Sequence, residues 1–303
     1  HVLILGQSLS PTGFTYDAPD VFLNYPRGLH LLVGSVWMAS GGERFLDAWL
    51  ALEGTAWLLL TLLVMALVGI ASRSAESVGI KPWLSQWVGP LVVMASFVLG
   101  MWLSNMLAVG FVTSIVAGLC LAAICAVGTF HPWFGRWEAP AALAAAFVVT
   151  CHSWPPVTAA VLVTLVGSLV VWVWKQRPRL SHLLAMFVLV VVALVSSVPP
   201  IAARLAPADT AADLVDVSGA PGVTWPGVVW WGLAVAAIFM AALAWRRGQR
   251  NWVVVWALLT VSMTSVVLAL LILSDRPWSK PSYYAIKTLW ASSVLVLPVG
   301  IAG

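Results

Sequence analysis

The sequence predicts an all-α integral membrane protein, a polytopic bundle of about nine transmembrane helices with one further segment lying on the membrane surface. Hydrophobic residues make up 61% of the 303 residues, charged residues only 9%, and the mean hydropathy is +0.98. A soluble domain of this size could not bury so much apolar surface, so lipid must solvate part of it. The net charge of +4 then reflects membrane topology rather than a nucleic-acid partner.

The apolar stretches approach the roughly 20 residues that a helix needs to cross a hydrocarbon core of about 30 Å. They form one transmembrane domain, 46–303, which follows an external juxtamembrane segment, 1–45. Because the chain opens on His1 without a preceding span, we expect it to be a fragment that lacks the N-terminal span of a longer protein. The predicted spans are 46–70, 89–104, 108–129, 139–152, 156–174, 183–202, 226–245, 252–273 and 286–303.

Basic residues are distributed unevenly over the loops between these spans. With the N-terminal segment outside, the inner loops hold nine of the fifteen Lys and Arg residues, and the clusters at 175–179 and 246–250 adjoin span ends on that side. Basic residues near span ends favour the cytoplasmic side of a membrane. The pattern therefore predicts a multi-pass plasma-membrane protein whose outer face, which carries charges of both signs, is the active one.

The first 45 residues combine a short apolar helix headed by His1, a turn-rich loop and a helix start in NYPRGLH. This arrangement resembles the first external loop of the GT-C class of membrane glycosyltransferases, especially large bacterial members with D-x-x-x-H followed by Y-P-x-G-x-H. The resemblance covers residues 1–30, with Arg27 where many relatives have a small residue or a second proline. The matching residues are His1, Tyr25, Pro26, Gly28 and His30.

The resemblance implies an inverting transfer of a sugar from a polyprenyl-phosphate donor to a glycan or protein acceptor of the bacterial cell envelope. In such a reaction a carboxylate removes the proton of the acceptor hydroxyl. In this class the catalytic aspartate lies at the end of the first external stretch, so the resemblance places it just before His1. Within the chain, Asp17 and Asp20 are the candidates for this role. The residues expected to bind substrate are His1, Tyr25, Arg27 and His30.

A second group of polar residues lies in SDRPWSKPSYYAIKTLW, 274–290, where Arg276, Lys280 and Lys287 are interleaved with aromatic residues that include Tyr284. Cations beside aromatic rings at the water–lipid boundary suit a lipid-linked phosphate. The segment also resembles GT-C segments in which a basic residue holds the polyprenyl phosphate. The alternative is an aromatic belt with snorkelling lysines. Lys287 is the most informative of these residues, because it is predicted to lie inside or at the lip of a span.

Two isolated residues are further candidates for substrate binding. Glu53 lies about two turns into the first span, where an ionisable side chain is costly unless it is functional or paired with a neighbouring helix. His152 lies in the tight outer turn CHSWPP, where it could line a sugar pocket or be an inert turn residue.

An acidic stretch in the long outer loop, Asp209, Asp213 and Asp216, would share one face of a helix and could accept a divalent cation. A solvated acidic surface explains the spacing better, so we assign no metal site.

Other classes of membrane protein have weaker support. The chain has no phosphate-binding loop, no dinucleotide fingerprint and no zinc-protease motif. A secondary transporter is the main alternative, and it would place broken helices in corresponding positions of two halves. A lipid- or polysaccharide-handling membrane protein without catalysis is a third interpretation. The enzyme is preferred because the polar residues concentrate in external loops rather than along a path through the bilayer.

Overall fold

The computed structural model describes residues 45–98, 112–130, 136–205, 227–273 and 283–302. Within these ranges the chain forms nine α-helices and no β-strand, which confirms the all-α class for the described residues. The predicted external segment lies outside them except for Phe45. The helices are α1 Phe45–Ser77, α2 Pro82–Val98, α3 Val112–Phe130, α4 Glu138–Ser153, α5 Pro155–Gln176, α6 Leu180–Leu205, α7 Gly227–Arg246, α8 Arg250–Leu273 and α9 Tyr283–Ile301.

Five of these helices are long and apolar enough to cross a membrane, which supports a helical membrane protein. Helix α3 and helix α7 contain shorter apolar stretches, so the count of about nine spans stays a prediction. The five candidate spans are Gly54–Ser77, Pro155–Gln176, Leu180–Val198, Arg250–Leu273 and Tyr284–Ile301.

The bounds of α4, α5, α7 and α8 agree most closely with the predicted spans. Helices α4 and α5 match the predicted 139–152 and 156–174 to within two residues at each end. Helix α2 instead starts at Pro82, ahead of the predicted residue 89, and continues through Pro90. Proline suits the first turn of a helix because its missing N–H has no intrahelical partner there. The exposed Trp83 and Trp87 on this first part of α2 are typical of a membrane interface.

Helix α9 lies at the centre of the bundle and contacts α1, α2, α3, α5, α7 and α8. Two glycines let neighbouring helices approach it closely. Gly118 of α3 lies against the Trp290 ring, and Gly300 of α9 lies against the backbone of Leu233 in α7. Small residues at helix contacts are a common means of packing helices in membranes, because backbones can then approach each other. A helix enclosed in this way can carry polar side chains that lipid would not solvate.

One end of the bundle, here called the basic end, carries most of the described positive charge. The turns α1–α2 and α7–α8 meet there, since a Cβ at Gly79 would overlap the guanidinium group of Arg247. Both turns use glycine with positive φ, Gly79 at 71° and Gly248 at 82°, as helix C-termini commonly do. Of the described Lys and Arg residues, all except Arg204 and Lys287 belong to this end: Arg73, Lys81, Arg136, Lys175, Arg177, Arg179, Arg246, Arg247 and Arg250.

Helix α6 lies at the edge of the bundle and packs mainly on α4. Most of its apolar side chains are exposed, including Leu184, Phe187 and Val195. In water such a helix would be unstable, whereas in a bilayer its exposed face is solvated by lipid. The position of α6 therefore fits a membrane environment.

Candidate functional site at the start of helix α9

Lys287 is the fifth residue of α9 and is 0% exposed. At a rise of about 1.5 Å per residue, its Cα lies roughly 6 Å from the start of the helix. Lysine is almost never fully buried unless its charge is matched by its surroundings. The structure therefore places this cation inside the bundle, at the end opposite the basic end, and within a candidate span as the sequence predicts.

The Lys287 ammonium lies over the ring of Trp154, with 4.0 Å between Nζ and the ring centroid. Tyr284, one turn earlier on α9, stacks on the same indole at a centroid distance of 5.1 Å and an interplanar angle of 14°. The spacing of three residues puts Tyr284 and Lys287 on one face of the helix. Two of the four residues predicted to bind the lipid phosphate are thus brought together by one tryptophan, and Arg276 and Lys280 lie outside the described residues.

The Trp154 ring is held by a rigid turn between α4 and α5. Trp154 has an extended backbone, with φ −141° and ψ 91°, and its N–H donates to the Thr150 carbonyl at 2.8 Å. Pro155 follows as the first residue of α5, where its ring fixes φ for the helix. The residue before a proline is confined to extended backbone, so the W-P-P sequence itself sets this turn.

Three buried polar atoms in Trp154 itself or in residues close to Trp154 and Lys287 in the sequence have no hydrogen-bond partner among the described residues. They are Trp154 Nε1, Thr158 Oγ1 and Thr288 Oγ1. Thr158 is one turn along α5 from Trp154, and Thr288 is next to Lys287. Ser114 Oγ on α3 is a fourth such atom, one turn before the Gly118 that contacts α9. Buried polar groups are normally paired, so these four atoms at one end of the bundle have hydrogen-bonding capacity that water or a ligand could use.

These groups can all donate hydrogen bonds. An ammonium and an indole N–H are donors only, and a hydroxyl can donate as well as accept. A cation with surrounding donors in a dry environment suits an anion such as a phosphate group. Other buried polar atoms without partners, Ser74 Oγ, Trp252 Nε1 and Thr260 Oγ1, lie on α1 and α8. The cations closest to them in the sequence, Arg73 and Arg250, are exposed, whereas Lys287 is buried.

His152 has a structural contact in the same turn. Its Nε2 lies 3.1 Å from the carbonyl oxygen of Ser196 in α6, and because a carbonyl only accepts, Nε2 must carry the proton. That carbonyl would normally accept from the N–H four residues on, which is Pro200 and has none. The imidazole therefore replaces the missing helical hydrogen bond, and this contact connects α4 to α6. The expected role of His152 in substrate binding stays a prediction.

The structure describes few of the other predicted site residues. Glu53 lies in α1, and its side chain is outside the described set. Among the described residues, no group of three or more His, Cys, Asp or Glu could hold a metal ion, and the acidic stretch 209–216 lies outside them. The predicted site residues outside the described ranges are His1, Asp17, Asp20, Tyr25, Arg27, His30, Arg276 and Lys280.

Sequence reasoning missed most of the groups around Lys287. Trp154 is part of the tight turn CHSWPP but was not predicted as a site residue, and Thr158, Thr288 and Ser114 are inconspicuous hydroxyls in apolar stretches. The signal that could have found Trp154 is its position before two prolines, which fixes a large ring at a helix boundary. The hydroxyls give no comparable signal in the sequence.

A comparison of the chain with known protein families, with curated proteins and with solved structures finds no match. The functional interpretation therefore rests on the residues themselves.

Proposed function

We propose that this chain is a membrane glycosyltransferase that moves a sugar from a polyprenyl-phosphate donor to an extracytoplasmic cell-envelope acceptor, with inversion at the anomeric carbon. The observation that supports it best is the buried Lys287 on Trp154, with unpartnered donors close by at the end opposite the basic end. A lipid-linked phosphate is an anion that reaches a protein at headgroup depth, where such a group of donors would meet it.

In this proposal the donor-binding groups act on the leaving phosphate. The acceptor hydroxyl loses its proton to a carboxylate and attacks the anomeric carbon, while the bond from that carbon to the phosphate oxygen breaks. The polyprenyl phosphate leaves with the electron pair, and the Lys287 ammonium stabilises its charge. Asp17 or Asp20 is the proposed base. The NYPRGLH segment is proposed to bind the sugar or the acceptor.

The position of Trp154 suits this role because the ring is fixed before any ligand binds. Its backbone is set by Pro155, and its indole is packed against Tyr284. A preorganised site loses less free energy on binding than one that must become ordered. The Trp154 indole N–H is then available as a donor in a defined direction.

The test is transfer of a radiolabelled sugar from a polyprenyl-phosphate donor in membranes that contain Lys287→Ala, Lys287→Arg or Lys287→Gln. We expect a large loss with Ala and Gln and a smaller one with Arg, because Arg keeps the charge while changing the donor geometry. Lys81→Gln is the matched control, since Lys81 is an exposed cation of the basic end. Equal transfer by all variants would exclude Lys287 from the donor site.

A secondary transporter is a second candidate, favoured by the polar side chains buried on the central helix α9. Lys287, Thr288, Ser292 and Ser293 are all buried there, and polar groups inside a membrane bundle often mark a transport path. However, Ser292 and Ser293 donate to carbonyls of their own helix, Leu289 and Trp290. Uptake of labelled sugars or ions into proteoliposomes, driven by a pH gradient, would favour this candidate if it occurred without sugar transfer.

A further inference from the structure

A groove of about 360 Å³ separates the first part of α6 from the last part of α5 at the basic end of the bundle. The two helices are joined by only three residues, yet they diverge, because α6 packs on α4 while α5 packs on α4 and α8. The volume lies in the range of small-molecule pockets. The groove, here the α5–α6 groove, is lined by Leu169, Trp172 and Val173 of α5 and by Leu184, Phe187 and Val190 of α6.

The lining offers contacts to hydrocarbon and none to a polar ligand. All the side chains that line it are apolar, and Leu184 and Phe187 are 55% and 65% exposed. In a bilayer such a groove is filled by lipid, and its shape between two diverging helices suits a flexible acyl chain.

Three cations lie in or beside the short turn that joins α5 to α6, at the end of the groove. Lys175, Arg177 and Arg179 are exposed and lie between the last lining residue of α5, Val173, and the first of α6, Leu183. The one ion pair between described residues, Arg73 with Glu76, does not include them. Positive charge at the end of an apolar groove matches a lipid with a negative headgroup.

The conformation of Arg177 is a second, independent observation. Arg177 has φ 42°, in the left-handed region, whereas the turns α1–α2 and α7–α8 use Gly79 and Gly248 in that region. A residue with a Cβ is disfavoured there relative to glycine. The turn between the two helices of the groove therefore has an arginine where the other two turns have glycine.

We propose that the α5–α6 groove binds one acyl chain of an anionic phospholipid, with its headgroup held by Lys175, Arg177 and Arg179. The bound lipid fills the gap between the two helices and fixes α6, which otherwise contacts the bundle mainly through α4. The proposal is independent of the glycosyltransferase function, since it concerns the other end of the bundle.

The test uses the purified protein in detergent, titrated with phosphatidylglycerol or with phosphatidylcholine of the same acyl chains, and native mass spectrometry to count retained lipids. We expect one phosphatidylglycerol to be retained in preference to phosphatidylcholine. The variant Lys175→Gln/Arg179→Gln should weaken that preference by about fivefold for each cation, the equivalent of about 1 kcal/mol per charge. The matched control is Lys81→Gln/Arg136→Gln, which removes two exposed cations of the basic end that do not adjoin the groove.

Two single variants separate the lipid site from folding effects. Arg177→Gly should weaken phosphatidylglycerol retention about fivefold while leaving the protein at least as stable, because glycine accepts this backbone without strain. Leu184→Trp should reduce retention of both lipids by filling the groove. Equal retention of the two lipids by the unmodified protein, equal loss in the two double variants, or unchanged retention in Leu184→Trp would each overturn the proposal.

Discussion

Replacing Lys287 by methionine separates a phosphate-binding lysine from one that only stabilises the fold. Methionine is unbranched, flexible and of similar length, so it can fill the same volume without a charge. The change removes a cation–π contact at 4.0 Å, which is worth about 2 kcal/mol where both groups are desolvated. It also removes the desolvation penalty of a buried charge, several kcal/mol for an ion within a protein. The two effects oppose each other, so we expect Lys287→Met to fold with a thermal stability equal to or above that of the unmodified protein.

Binding of the lipid phosphate should respond differently to the same change. A hydrogen bond to a charged group contributes about 1.5–3 kcal/mol, so its loss should weaken binding roughly tenfold to 150-fold. The assay compares the affinity of purified protein for a polyprenyl phosphate and for the corresponding polyprenol, with Lys81→Met as the control, because Lys81 is an exposed cation of the basic end. Only the phosphate should lose affinity, and only with Lys287→Met. If the variant binds polyprenyl phosphate as tightly as the unmodified protein, Lys287 is not a phosphate ligand.

Three further predictions follow from the packing and the charge pattern. His152→Ala should lower the free energy of unfolding by about 0.5–1 kcal/mol, because it leaves the Ser196 carbonyl of α6 unpaired. His152→Gln should recover part of this loss, because its amide N–H can donate to the same carbonyl. Thermal unfolding measures both effects. Gly300→Ala should destabilise the protein by about 1–3 kcal/mol, since the new Cβ would lie 2.6 Å from the Leu233 carbonyl oxygen. The control Gly232→Ala should be neutral or stabilising, because a Cβ there would have no atom within 4 Å. Similar effects of both variants in thermal unfolding would contradict the close packing of α7 on α9. In a cysteine-free background, external thiol reagents should label a cysteine at Asp213 but not one at Arg177, and the reverse pattern would invert the predicted topology.

The sequence predicted the helical membrane class well because that class depends on composition, and composition needs no knowledge of packing. Helix bounds were predictable where the helix and the apolar stretch coincide, as in α4, α5, α7 and α8, and less so at Pro82, where an exposed interfacial turn precedes the apolar stretch. The central position of α9 was not predicted. Its polar residues were a usable signal, because a helix surrounded by protein can carry Lys287, Ser292 and Ser293 where a lipid-facing helix such as α6 cannot.

The candidate site was predictable only in part, because its contacts join residues that are far apart in the sequence. Lys287 and Tyr284 were singled out from one segment, but their partner Trp154 lies in the α4–α5 turn, far from them in the sequence. Periodicity places residues on a helix face, yet it does not say which other helix meets that face. Prolines favour an extended backbone in the residue before them, so this local rule would have identified Trp154 as a fixed ring. It would not have identified Lys287 as the cation that lies over that ring.

The His152 contact shows how two local features combine to position the site. Pro200 removes one backbone donor from α6, and the imidazole of His152 takes its place on the Ser196 carbonyl. Trp154, two residues after His152, donates its backbone N–H to the Thr150 carbonyl, and Pro155 fixes the start of α5. The α4–α5 turn is thus held from α4, α5 and α6 at once, which keeps the Trp154 ring in place against Lys287. A loss of His152 should therefore loosen the position of the ring as well as the edge helix, so its effect on donor binding would come from positioning even without any contact to the sugar.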